Sequence, residues 1–533
     1  MHRLVAQNRP EVAFGIAGAV RIGSPARMNT QSNRRGGGRK ARVAQRAAPP
    51  VVNPCPPGQI GGQYKPLSES DCQAIFDMAL RLLGDLGMGE VPGRLADLLI
   101  SKGATVKGER VLLPPSLVQG CLASAAKTIT LHGRDPARTV TIGGDRVHYG
   151  TGGAAVQTLD LETGRYRAST LRDLHDFTRL QDTLNNVAWF TRCCIATDVA
   201  DNFELEANTA HALLRNTSKP VAMSFTMGDY VEPIVEMFDI AAGGKGAYAA
   251  QPFVTAHVSP IISPLRYGED AVDVTYACIE HGVPIACLIA AQAGATGPAS
   301  LANFLAHSLA ETLAGLVMIQ SIKPGHPMIF GNWPFVIDLR TGAFVGGGAE
   351  TALMNAASAQ ISNWLGLPSG VAASMTDAKV PDAQFGMEKG ITALAAGLAG
   401  GNMIYESSGM LAALMGASFE AFVLDDEMIG HLYRTLRGVE VSPDTLSFEV
   451  ISEAVLGEGH FLGAPDTMAS MERDYFYPEI GDRDAPRVWE ENGAQTARDR
   501  ARVKARQILE SHDPRYLSAA QEAEIAKRFN ILI

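Results

Sequence analysis

At 533 residues, 46% hydrophobic and 19% charged, the chain has the apolar content to build one large core and too little charge for an extended polyelectrolyte. Its formal charge of −10 is unevenly placed: residues 1–46 hold ten Lys/Arg against the single acid Glu11, leaving about −19 on the rest. An acidic body argues against a nucleic-acid surface, and without an uninterrupted apolar run long enough to span a bilayer no membrane segment is expected.

Residues 1–50 include Arg34-Arg35-Gly36-Gly37-Gly38-Arg39-Lys40 and few large apolar side chains, so a disordered basic arm is expected. The arm is Arg-rich and acid-poor like a transit peptide, yet lacks the apolar core and cleavage site of a secretory signal; Met28 is a second candidate start. Seven cysteines without a C-x-x-C pair read as reduced thiols of a cytoplasmic protein.

Residues 51–146 read as a helical α+β region. Ser68 or Ser70 caps a helix with Ile75, Phe76, Ala79, Leu82, Leu83 and Leu86 on its apolar face, and further helices are expected near 92–102 and 115–126. Two short alternating runs follow, Thr128 to Leu131 and Thr139 to Ile142, and the region is assigned to packing.

From Val147 the pattern changes. A first strand ends at Thr151-Gly152-Gly153, and Val156 to Tyr166, turning at Glu162-Thr163-Gly164, reads as an inserted β-hairpin. Strands near 187–196, 220–226, 253–259, 284–290, 327–333, 370–375 and 402–406 then alternate with helices near 169–184, 203–216, 229–242, 266–281, 299–322, 348–365, 383–398 and 418–437. Eight strand–helix units over residues 147–440 predict an α/β fold, a (β/α)8 TIM barrel. Residues 441–533 break the alternation and are expected to wrap the barrel as a helical extension, closing one end.

Chemistry in such a barrel gathers at the C-terminal ends of the strands. The loop Thr376-Asp377-Ala378-Lys379-Val380-Pro381-Asp382-Ala383-Gln384 places two carboxylates, an ammonium and an amide there, and is where the active site is expected. Asp377, Gln384 and Glu406 are the catalytic candidates. His257, Asn332, Trp333 and Tyr405 are the substrate-binding candidates, because aromatic faces beside a carboxylate hold a quaternary ammonium by cation–π attraction and ion pairing. Filling the core is the competing role for each aromatic. Twelve histidines show no ligand spacing, so no metal site is expected. Gly346-Gly347-Gly348 before a helix is a structural turn or an anion cradle.

Several uncommon motifs then occur in order: Thr151-Gly152-Gly153-Ala154, Asp338-Leu339-Arg340-Thr341-Gly342 leading to Gly348-Ala349-Glu350, Asp377-x-Lys379-x-Pro381-Asp382-x-Gln384 with Glu388, Ala399-Gly400-Gly401-Asn402, Phe461-Leu462-Gly463 and Tyr477-Pro478. In these the chain resembles the trimethylamine methyltransferase family from about residue 60 to 525. The resemblance implies a TIM barrel that moves a methyl group from a methylated amine to the cobalt(I) of cobalamin carried by a separate corrinoid protein. No cofactor is then bound directly, and no corrinoid-binding D-x-H-x-x-G motif occurs in this chain. Members using trimethylamine carry pyrrolysine and this chain has none, so it is similar to the branch acting on quaternary amines, glycine betaine first. Trp333 and Tyr405, with Glu406 or Asp377, are expected to hold the ammonium, and Asn332, His257 or Gln384 a carboxylate. These roles come from residue type and position, not from the resemblance. Proline betaine, carnitine or trimethylamine as substrate, or a silent betaine-binding paralogue, are the alternatives. A homo-oligomer is expected on general grounds.

Overall fold

The computed structural model describes residues 53–533, so the basic arm expected over residues 1–50 lies outside the described residues. Within them, short Val-, Ile- and Ala-rich runs pair edge to edge as parallel strands: β1 (Arg146–Thr151), β2 (Phe190–Thr191), β3 (Val221–Met223), β4 (Val254–Val258), β5 (Ile285–Ile289), β6 (Met328–Asn332), β7 (Ser369–Ala372) and β8 (Met403–Ser408). Nearly every residue in them is buried, as expected of parallel strands covered on both faces. Neighbours in the sheet follow the chain order from β2 to β8, β8 then pairs with β1, and the two-residue strand Gln59–Ile60 adds antiparallel to β1. No continuous ladder joins β1 to β2 among the described residues. The two are linked by Ala188 N–H to Tyr149 O at 2.8 Å, and by Thr151 Oγ1, which accepts from Thr191 N at 2.5 Å and donates to Thr191 O at 3.1 Å.

A helix follows each strand: α1 (Leu171–Asp182), α2 (Asn202–Asn216), α3 (Val231–Ala242), α4 (Glu269–Glu280), α5 (Leu301–Ile322), α6 (Ala349–Trp364), α7 (Ala383–Leu398) and α8 (Phe419–Arg437). Their starts are written in the sequence. Thr170 and Asp173 form a capping box on α1, and Asp201, Asp382 and Ser418 accept from the first-turn amides of α2, α7 and α8. By length and composition α5 could cross a membrane, but 89% of its apolar window is buried inside the protein. Apolar on all sides, it is a core helix, packed between β5, β6 and the N-terminal helices.

In the N-terminal region Ser68 caps the helix Glu69–Arg81, and Ile75, Phe76 and Ala79 are buried as their spacing predicts. Leu86 is 48% exposed instead, because the chain winds into a π turn over Leu82–Leu86 and the apolar stripe rotates off the core there. The inserted hairpin pairs Gln157–Leu159 with Tyr166–Ala168, and it extends into a four-stranded sheet with Met410–Leu411 and Gly416–Ser418, beyond the end of β8. The last segments clasp the outside. Helix Ala497–Ser511 packs along α8, with Arg502 3.0 Å from the buried Glu420 carboxylate, and helix Ala519–Arg528 brings Glu522 to His211 and Arg215 of α2 at 2.7 and 2.6 Å. Helix Phe448–Leu456 does not follow that rule, since none of its residues is buried.

Candidate active site

The C-terminal ends of the strands surround a cavity of about 350 Å³. Gly152 and Gly153 after β1, Ser224, Phe225 and Thr226 after β3, His257 of β4 and Trp333 after β6 line it, with Asp270 of α4 on one side. Tyr405 of β8 sits at the centre of an aromatic group beside it. Its ring centroid is 5.1 Å from Trp333, 5.4 Å from Trp189 and 5.3 Å from His257. Tyr405 is fully buried, and among the described residues neither Trp189 nor Trp333 has a hydrogen-bond partner for its indole N–H.

Glu406 lies against Gly152 and Gly153 of the cavity wall. Adjacent strand residues ordinarily face opposite sides, but the pairing of β8 with β1 shifts register between Ile404 and Ser408, and Glu406 has φ 65°. This bulge swings its side chain over Gly152, where a Cβ would lie only 2.0 Å from the Glu406 carboxyl carbon. Only glycine permits that approach. Glu406 Oε1 accepts from Gly153 N–H at 3.3 Å, whereas Oε2 is buried with no partner among the described residues. Burial pushes the carboxyl up to about 8, against smaller downward pulls from the Gly153 amide and the Lys389 charge. Beneath it Lys389 of α7 and Asp425 of α8 form an ion pair of 3.0 Å with both side chains fully buried. Lys389 Nζ also donates to Glu406 O at 3.3 Å, and Asp425 accepts from Gly409 N–H at 2.8 Å, so the pair clamps the backbone on either side of the bulge.

On the other wall, burial and the nearby charge of Arg192 lower His257 to about 3, so its imidazole is neutral near pH 7. Thr191 Oγ1 lies 3.4 Å from both ring nitrogens. Arg192 is partly buried at the end of β2, where burial lowers its guanidinium pKa, and the guanidinium has no hydrogen bond or ion pair among the described residues. Glu206 of α2 feels the same charge, but its Oε1 is occupied by Thr226 N–H and Oγ1 at 2.5 and 2.6 Å.

The structure brings four of the sequence candidates together, His257, Trp333, Tyr405 and Glu406, and places three elsewhere. Asn332 precedes Trp333 and therefore faces the other way: it is fully buried against α5, accepting from Ser308 Oγ, with its carbonyl taken by Ser358 Oγ at 2.8 Å. The Asp377 carboxylate accepts from Gly346 N–H at 3.1 and 3.2 Å and from Gly347 N–H at 3.3 Å. The glycine run thus does cradle an anion, and the anion is internal. Gln384 is exposed and donates to Glu388 Oε1 at 2.8 Å, while Glu388 Oε2 accepts from Thr376 Oγ1 and Asp377 N at 2.7 and 2.8 Å. The loop expected to carry the active site is in these contacts a hydrogen-bonded brace centred on Glu388; Asp377 borders a separate groove with Asp338 and Arg340. Arg192 and the Lys389–Asp425 pair were not picked out as acting on the site, and Gly152 was read only as the end of the first strand.

Among the described residues no group of three His, Cys, Asp or Glu side chains could hold a metal ion. All seven cysteines are free and buried.

The chain matches the family model for trimethylamine methyltransferase (MTTB) over residues 35–529. It is 31% identical to the glycine betaine methyltransferase of Desulfitobacterium hafniense (strain Y51) over 469 residues, 88% of this chain and 97% of that protein. With the trimethylamine methyltransferase MttB of Methanosarcina thermophila it shares 30% identity over 465 residues, 86% of this chain and 95% of that protein. Among solved structures, the monomethylamine methyltransferase MtmB of Methanosarcina barkeri superposes with a TM-score of 0.45 at 13% identity, covering 85% of this chain and 95% of that one.

Proposed function

The chain belongs to the trimethylamine methyltransferase family and is a methyltransferase, and from that premise we propose that it demethylates a quaternary amine, glycine betaine first, with the corrinoid of a separate protein as methyl acceptor. The observation that carries the choice of substrate is the buried Glu406 carboxyl with an unpartnered oxygen, packed against Gly152 of the cavity wall and next in the chain to Tyr405, whose ring meets that of Trp333. A carboxyl in that setting favours a cation, and aromatic faces favour one without N–H donors. The absence of pyrrolysine from the sequence points the same way.

The cob(I)alamin of the partner supplies the nucleophile that takes the methyl group. A cavity of about 350 Å³ suits a small amine and not a corrinoid, which fits an acceptor delivered on another protein. The chain's own part is positional: Glu406 and the rings hold the ammonium, and the apolar walls exclude water from the methyl group. The unpaired guanidinium of Arg192 balances the carboxylate of a betaine, with neutral His257 and Ser224 or Thr226 as hydrogen-bonding neighbours. Asp377 and Gln384 act as bracing residues of the β7–α7 loop. The architecture we propose is the (β/α)8 barrel, its seam between β1 and β2 held by the Thr151–Thr191 hydrogen bonds, and the location is the cytoplasm.

The test mixes the protein with chemically reduced cobalamin, or with the corrinoid protein of a neighbouring gene, and follows loss of the cob(I)alamin absorbance over a panel of methylated amines. Turnover with glycine betaine and none with trimethylamine is expected. Turnover with trimethylamine alone would overturn the substrate, and tight betaine binding without turnover under any acceptor would favour the silent paralogue.

A further inference from the structure

Tyr405 and Glu406 lie behind the cavity wall: both are fully buried, and neither is among the residues that line the opening. An ammonium is larger than water, so side chains must move before one can touch Glu406 Oε2. The buried cluster that holds Trp189, Trp333 and Tyr405 is covered by three part-buried side chains, Ala126 in the N-terminal region and Phe344 and Leu414 beyond the strand ends. Phe344 belongs to a hairpin in which Phe335–Ile337 pairs with Phe344–Val345, and its ring is 4.9 Å from that of Phe335, itself 6.0 Å from Trp333. Leu414 lies on the tip Ala412–Met415, between the paired strands Met410–Leu411 and Gly416–Ser418.

Both elements hang from the β7–α7 loop. Ala412 N–H donates to Ala378 O at 2.9 Å and Ala413 N–H to Thr376 O at 2.8 Å, while Asp377 between them holds the Gly346 and Gly347 amides that follow Phe344–Val345. The tip is strained: Ala412, Ala413 and Leu414 have φ of 52, 53 and 72°, three successive side-chain-bearing residues in a region that such residues visit singly. With Ser374 and Glu406 they make five of the nine non-glycine residues at positive φ among those described, all at the ends of β7 and β8. Strain gathered in this way is characteristic of ligand clamps and switch regions.

We infer that the tip carrying Leu414, together with Phe344, is a cover that lifts to let the amine reach Glu406, and that the carbonyls of Thr376 and Ala378 are its latch. The inference rests on the reading of Glu406 as the ammonium site. Lifting breaks the two latch hydrogen bonds and releases three left-handed residues, so the closed and open forms are close in free energy. Reclosing restores the apolar wall around the held cation, where exclusion of water strengthens its ion pair. The polar loop from Asp377 to Gln384 then serves the site without touching substrate, by setting how readily the cover opens.

Hydrogen exchange read by mass spectrometry on the ligand-free full chain measures the opening. The segment 410–417 should exchange faster than β8. It should slow about fivefold in Ala413→Gly, since glycine adopts the left-handed backbone freely, and quicken in Ala413→Val, since a β-branched residue does not. Stopped-flow tryptophan fluorescence with glycine betaine and with tetramethylammonium should show a binding rate that saturates with concentration, at a lower plateau in Ala413→Gly and a higher one in Ala413→Val and Leu414→Ala. Should Ala413→Val misfold, Asp377→Asn replaces it, because a weaker hold on Gly346 and Gly347 should also raise the plateau. A tip as protected as β8, or variants that leave exchange and plateau unmoved or shift them all in one direction, would overturn the cover. Exchange that shifts as expected while neither amine binds would overturn the reading of Glu406 and uphold the moving tip.

Discussion

If Glu406 holds the ammonium as proposed, its charge state makes the site's affinity a function of pH. With its carboxyl pushed up to about 8 in the ligand-free protein, about one molecule in ten is ionised at pH 7. A quaternary ammonium against the unpartnered Oε2 stabilises the anion, so binding at pH 7 must expel a proton from the other nine. The apparent Kd for glycine betaine should therefore fall about tenfold between pH 7 and pH 9, equivalent to ~1.4 kcal/mol, and then level off. Titration calorimetry in two buffers of different ionisation enthalpy should show close to one proton released per betaine at pH 7 and few at pH 9.5. Glycine betaine itself carries permanent charges and adds no proton in that range, and His257, lowered to about 3, does not titrate there. Asp425, raised by burial, lies next along the Lys389 bridge, so the control is Glu406→Gln. That variant should bind more weakly at pH 9, with no pH slope and no proton release. Wild-type affinity that is flat from pH 6 to 9, or a slope that persists in Glu406→Gln, would refute the assignment of the carboxyl to the cation.

Gly152→Ala should abolish turnover with little change in melting temperature, because its Cβ would occupy the Glu406 carboxyl position while the neighbouring strands stay paired; turnover near wild type would mean that Glu406 moves freely. Trp333→Ala should weaken every quaternary amine by ~0.5–2 kcal/mol, whereas Arg192→Met should lower kcat/KM for betaines and spare tetramethylammonium, which carries no carboxylate. Lys389→Met strands the buried Asp425 and should cost about 3–5 kcal/mol in urea unfolding, with much of it recovered in Lys389→Met/Asp425→Leu. Buried neutral histidines set the acid limit. His148, His175, His257 and His326 are lowered to about 4, 3, 3 and 4, so unfolding binds protons below pH 6.5 and each should remove ~1.4 kcal/mol of stability per pH unit down to its folded value. Raised carboxyls such as Glu406 work in the opposite sense over the same range, so the check is a comparison: calorimetry on His326→Gln should show a smaller loss of stability from pH 6 to 4.5 than the wild type.

The alternation of strands and helices was legible because each strand–helix unit carries its own signal: a short buried run, a cap such as Thr170 or Asp382, and an apolar face of fixed period. None of these depends on a distant residue. The site is different in kind. That Trp333 reaches the cavity and Asn332 faces α5 follows from the two-residue period of a strand, so choosing one of the pair was a decision the sequence already offered. The same rule, applied to Tyr405 and Glu406, would have discarded one of them wrongly. Both border the site because β8 bulges, and the bulge is held by contacts from elsewhere: Lys389 on α7, Asp425 on α8, and the bare backbone of Gly152 on β1. A glutamate at positive φ costs roughly 1–3 kcal/mol and persists where its surroundings over-determine it. Those surroundings are an ion pair that is itself costly to bury and a glycine that gives up side-chain packing. Three elements thus hold one carboxyl in an apolar wall with an oxygen unsatisfied, an arrangement that burdens the ligand-free fold and that the proposed entry of a cation would relieve.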